Sequence, residues 1–147
     1  KEEQTTHNQQ VPTVFSPRYC CPAAATNSTE KQLAVVRAAQ AEDLITLHKA
    51  PFDEDEAWAS ITSVHDPAYV DAVRTGHPER LARSQGFRWS PRFANSVARI
   101  WAGHLAACRL ALTAPMMVLH PVSGAHHANC ASGSGFCTFN FLAGGAV

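Results

Sequence analysis

The chain has 147 residues, enough for one compact domain with a hydrophobic core and too few for two. Apolar residues make up 46 %, a globular composition, and 12 Lys plus Arg balance 12 Asp plus Glu, which leaves no net field to draw in nucleic acid or an anionic membrane. Five cysteines in no regular framework set aside a disulfide scaffold and point to a reducing, cytoplasmic compartment.

Residues 1–11 are polar and aperiodic and read as a loose arm. Pro12–Pro17 is a short strand-like run bounded by prolines. A helix follows, with Asn27 as its cap, Glu30 reaching back to it, and Leu33, Val36 and Gln40 along one face. Leu44–Pro51 has the mix of a second strand, and Asp53–Glu56 reads as a solvated acidic turn. The clearest helix starts at Asp66 as cap with Pro67 in its first turn, and Gly76 stops it. Residues 77–91 are polar and irregular. Ser90-Pro91 then opens the longest helical pattern, to about Thr113, with Phe93, Val97, Ile100, His104 and Cys108 at spacings of three and four. Pro115–Pro121 is a compact apolar strand in which Met116 and Met117 fit a buried position. Strand and helix in alternation predict an α/β domain with a parallel sheet, whose ligands gather at the C-terminal ends of the strands. No stretch of about 18 apolar residues offers a membrane span.

The loop leaving the third strand reads "SGAHHANCASGSGFCTFN", Ser123 to Asn140. Its small residues surround two adjacent imidazoles with little side-chain volume, and Gly133 and Gly135 let the backbone turn sharply beside a ligand. Phe136 supplies an apolar wall, and the histidines can take and give protons near neutral pH. Two other readings compete. His127, Cys130 and Cys137, with His120 or His126, would form a structural zinc module, though no repeated Cys-x-x-Cys knuckle supports it. A thiol nucleophile, Cys137 or Cys130 activated by His127, is the other. His65 reads as fixing its loop, His104 as a hydrogen-bonded core histidine, and Trp58, Trp89 and Trp101 as core or partner-facing aromatics.

This loop, the "SVHDPAYVDAV" stretch, the helix from "GFRWSPRF" onward and the "PTVFSPRYC" strand together resemble the histone deacetylase superfamily, in particular its bacterial members acting on acetyl-lysine or acetylated polyamines. The resemblance implies a three-layer αβα arginase/deacetylase-like fold with a mainly parallel sheet, of which residues 12–147 would be the N-terminal half. It implies zinc-dependent hydrolysis of an acetyl amide. His126 and His127 would be the tandem histidines beside the metal-bound water, His127 moving the proton and His126 adding electrostatics and a hydrogen bond. Gly135 and Phe136 would wall the acyl-chain tunnel, and Gly124 would let the loop pack under the site.

The family's metal ligands, an Asp-x-His pair and a distant Asp, have no matching positions here, and no Asp or Glu follows Glu79. Thr138 stands where a tyrosine is common, and Trp89-Ser90-Pro91 lacks the aspartate that grips a peptide backbone. The expectation is therefore a truncated domain that binds no zinc by itself, covers an open sheet edge with another copy or a C-terminal half, and takes an acetylated small molecule or acetyl-lysine. A non-catalytic relative acting in binding or assembly is the alternative.

Overall fold

The computed structural model describes residues 10–24, 29–113 and 116–146. Strands β1 (Val11–Val14) and β2 (Ile45–His48) pair in parallel, Val11 opposite Ile45 and Val14 opposite His48. Helix α1 (Lys31–Ala41) makes the crossover between them. On the other side of β1, Leu119 bridges Thr13, also in parallel. Val14 N–H donates to Leu119 O at 2.8 Å and Leu119 N–H to Pro12 O at 2.9 Å. Pro12 uses only its carbonyl in this ladder, so its missing N–H costs nothing here. Thr13 and Val14 are buried, as a strand with neighbours on both sides requires.

The expected third strand is thus reduced to a single bridge. Met116 and Met117 are exposed, not buried, because among the described residues nothing pairs beyond this stretch or covers its side chains. Helix α1 begins at Lys31 with Glu30 in the cap position and making no side-chain cap bond. The Asn27 cap lies outside the described residues. Its buried positions are Gln32 and Val36; Gln40, expected on the inner face, is exposed.

Helix α2 (Glu54–Thr62) occupies the run read as an acidic turn. Asp53 accepts from Glu56 N–H at 2.9 Å, and the acids stand in the first turn, where the helix dipole favours negative charge. Helix α3 (Pro67–Thr75) is as expected: Asp66 Oδ1 accepts from Ala68 N–H at 2.8 Å, and Gly76 closes the helix at φ +87°. That glycine has a second cause, since a Cβ there would lie 2.8 Å from the Trp89 ring. A short helix α4 (Glu79–Ala82) interrupts the stretch expected to be irregular.

Helix α5 (Pro91–Thr113) carries the core. Its Phe93, Val97 and Trp101 pack with Trp58 and Ile61 of α2, Tyr69 and Val73 of α3, and Phe139. Trp101 Nε1 donates to Ser60 Oγ at 2.9 Å, and the half-buried Trp89 donates to Val73 O at 2.7 Å, so the tryptophans are packing residues. His104 is half-buried with Nε2 3.4 Å from Cys108 Sγ. Helix α6 (Phe141–Gly144) is capped by Asn140, which accepts from Ala143 N–H at 3.2 Å. The chain is α/β with a small parallel sheet. Because β2 and Leu119 flank β1 on opposite sides, the loops after β1 and after Leu119 part above the strand ends and leave a crevice.

Candidate functional site

The loop from His120 to Asn140 forms one wall of that crevice. Its shape follows from three positive-φ residues: Gly124 (+56°), Gly135 (+51°) and Phe136 (+63°). Ser134 and Cys137 pair across a tight turn, Ser134 N–H to Cys137 O at 3.1 Å and Cys137 N–H to Ser134 O at 2.8 Å. Positive φ at both central residues is the pattern of a type I′ turn, which glycine suits and phenylalanine does not. Holding Phe136 there costs roughly 1–2 kcal/mol. Its N–H donates to Gln85 O at 3.0 Å, and its ring rests against Phe87 with centroids 5.5 Å apart. The ring is nevertheless 53 % exposed, so the strained backbone presents an aromatic surface to the outside.

His127 lies against this turn. A Cβ on Gly135 would sit 2.9 Å from the His127 ring, and one on Gly124 would sit 2.5 Å from Phe136 O. Both glycines are therefore required by close approach as well as by φ. The His126 and His127 rings are 4.0 Å apart and tilted by 42°. Both side chains are exposed, whereas Ala125 and Ala128 on either side are buried and anchor the pair. The five residues expected at the site are thus assembled: His126, His127, Gly124, Gly135 and Phe136.

Residues outside the loop hold it in place. Ser84 Oγ accepts from Gly133 N–H at 2.9 Å, and Tyr69 donates its hydroxyl to Thr138 O. Asp66 N–H donates to Cys130 O at 2.9 Å, and Gln32 of α1 donates to Ser123 Oγ. His65 touches both stems: Nδ1 lies 3.0 Å from Asn129 O and 3.2 Å from Cys130 O, while Nε2 accepts from Asn140 N–H at 3.0 Å. The loop-fixing role expected of His65 is met, and the loop it fixes is this one. Sequence reasoning missed Ser84, Gln85, Phe87 and Gln32. Their sequence carries no signal of this: that Gln32 and Gln85 are buried is visible only in the fold.

Behind Gly124 and Phe136 lies a narrow cavity of about 40 Å³, lined mainly by apolar groups including Tyr19, Cys21, Phe93, Trp101 and Phe139. Its titratable walls are neutral at ordinary pH. Desolvation pushes the Tyr19 hydroxyl up to about 12 and raises the Cys21 thiol, whose Sγ is 3.5 Å from Ser96 Oγ. At the foot of the loop His120 is pushed down to about 3, by burial first and by neighbouring His104 second.

The zinc module does not assemble. Cys137 is buried with Sγ directed to Gly135 O at 3.7 Å, while Cys130 is exposed with Sγ directed to Val64 O at 3.9 Å. Neither thiol is hydrogen-bonded to His127, so the cysteine nucleophile also lacks its base. Among the described residues no three His, Cys, Asp or Glu side chains converge on a point that would hold a metal ion. Zinc finds no ligand set in these residues.

No curated protein matches the chain. The family profile described as histone deacetylase domain matches residues 25–146, which include the Asp66 helix, the long α5 and the whole His126–Phe136 loop. With that match spanning most of its length, the chain belongs to the histone deacetylase domain family.

Proposed function

We propose that the loop carries the proton-transfer and tunnel-wall part of an acetyl-amide hydrolase acting on acetyl-lysine or an acetylated polyamine, as in bacterial members of the family. The observation that carries this reading is the contact of His127 with the Gly135-Phe136 turn, which sets an exposed imidazole beside an exposed aromatic wall. An alkyl chain lying along Phe136 would bring its terminal amide to the histidine pair. His127 then takes a proton from water as the water oxygen bonds to the acetyl carbon. It returns a proton to the amine nitrogen as the C–N bond breaks, leaving acetate and free amine. His126, its ring centroid 4.0 Å from that of His127, is placed to orient it. Zinc is the family's expected cofactor, and the described residues do not form a site for it. Unpaired cysteines agree with a reducing, cytoplasmic setting.

Hydrolysis of an acetyl-lysine peptide and of N-acetylated diamines, followed by acetate release, tests the reading. His127→Ala is expected to lower the rate about 100-fold or more. Equal rates for His127→Ala and the unsubstituted chain would remove His127 from the chemistry. A second reading has its own support: the exposed histidines and the lack, among the described residues, of a metal ligand set favour a deacetylase-like domain used in binding or assembly. On that reading the open face bearing Leu47, Leu119 and Met117 takes another copy or a complementing chain. No hydrolysis by a folded chain under any metal condition would favour it.

A further inference from the structure

His65 is 3 % exposed, a buried imidazole whose polar contacts among the described residues are all made to the backbone of one loop. Carbonyl oxygens only accept, so Nδ1, facing Asn129 O and Cys130 O, carries the ring hydrogen. Nε2 accepts from the Asn140 N–H, which requires a free lone pair. The surroundings thus select one tautomer, neutral with hydrogen on Nδ1. Phe139, Tyr69 and Trp101 hold the ring, with centroids at 5.0, 6.0 and 6.2 Å. The charged or titratable neighbours are engaged elsewhere: Asp66 with Ala68 and Tyr69 N–H, Tyr69 with Thr138 O, and Cys130 with Val64 O.

The two contacts lie on opposite stems of the candidate loop. Asn129 and Cys130 follow His126 and His127, and Asn140 follows the Gly135-Phe136 turn. We propose that His65 is a positioning residue that clamps the two stems together and so sets where the histidine pair stands relative to the Phe136 wall. The weight of this for catalysis rests on the proton-transfer reading above; the clamp itself does not. Burial acts in the same direction, lowering the pKa of His65 and keeping the ring in the neutral form the clamp needs.

Two near-isosteric substitutions separate the halves of the clamp. His65→Asn keeps a donor near the Nδ1 position and loses the acceptor for Asn140. His65→Gln keeps an acceptor near Nε2 and loses the donor to Asn129 and Cys130. Amide hydrogen exchange is expected to show about tenfold or greater loss of protection at Asn140 in His65→Asn. In His65→Gln the loss moves to Asn129, Ala131 and Ser132, whose turn bonds hang on that stem. Core amides of α5 stay unchanged in both. Uniform loss across α5 and the loop, or no loss in the loop, would overturn the clamp. Should neither variant fold, nitrogen-resolved NMR of the unsubstituted chain decides: hydrogen on Nδ1 supports the proposal, and hydrogen on Nε2 at neutral pH overturns it. Absence of hydrolysis in the unsubstituted chain would remove the proton-transfer reading and leave these results standing.

Discussion

Gly135 shows how closely single residues bind the site's shape to its chemistry. Its φ of +51° is unfavourable for any residue with a Cβ, and that Cβ would press on the His127 ring at 2.9 Å. Gly135→Ala is therefore expected to cost about 1–2 kcal/mol and to displace His127. The check is a denaturant midpoint together with the His127 ring signals, and an unchanged midpoint with unmoved signals would contradict the contact. At this scale the sequence was most readable where a residue type has few structural uses. Paired histidines among glycines singled out the loop, and Phe136 beside Gly135 singled out its exposed aromatic ring. The anchors stayed hidden because a serine or glutamine has many uses, and only the fold shows that Ser84 and Gln85 face the loop's backbone.

Among the elements, legibility tracked local punctuation. Helices α3 and α5 announce themselves with a cap and a proline at their starts, Asp66-Pro67 and Ser90-Pro91, and Phe93 N–H indeed donates to Ser90 Oγ at 3.0 Å. Helix α2 was missed because four successive acids look like a solvated turn. Asp53 followed three residues later by Glu56 is nevertheless a capping-box spacing, with Ala57, Trp58 and Ile61 supplying the buried face. The Met116–Leu119 stretch failed for a different reason. Its composition suits a buried strand, but strandedness depends on partners distant in sequence, and among the described residues β1 alone supplies one. The His65 clamp belongs to this scale too, since it ties the entry of α3 to the entry of α6 through one ring.

Among the described residues, three histidines resist protonation in the native state: His65, His104 and His120, each lowered by burial. The unfolded chain takes up these protons near pH 6.5, whereas the native chain does so only at lower pH. More protons are bound by the unfolded state in that window, so stability is full above about 6.5 and falls as pH drops. His120 has the widest window, extending down to about 3, with a limiting slope of about 1.4 kcal/mol per pH unit. Neither of its ring nitrogens has a hydrogen-bond partner among the described residues, and its ring sits among Tyr19, His104 and Phe141. Urea midpoints are expected to fall between pH 7 and pH 5, and His120→Phe is expected to narrow that difference. Equal midpoints at the two pH values would contradict the buried neutral histidines.

The proposed function requires that the His126–Phe136 loop receive an acetylated amine. The most direct measurement is a titration of the isotopically labelled chain with N-acetyl-lysine methylamide, followed by NMR of its side chains. Saturable shifts are expected at Phe136 and His127, with the core side chains of Trp58 and Ile61 unmoved. Shifts absent from the loop, or centred on another face of the molecule, would contradict it.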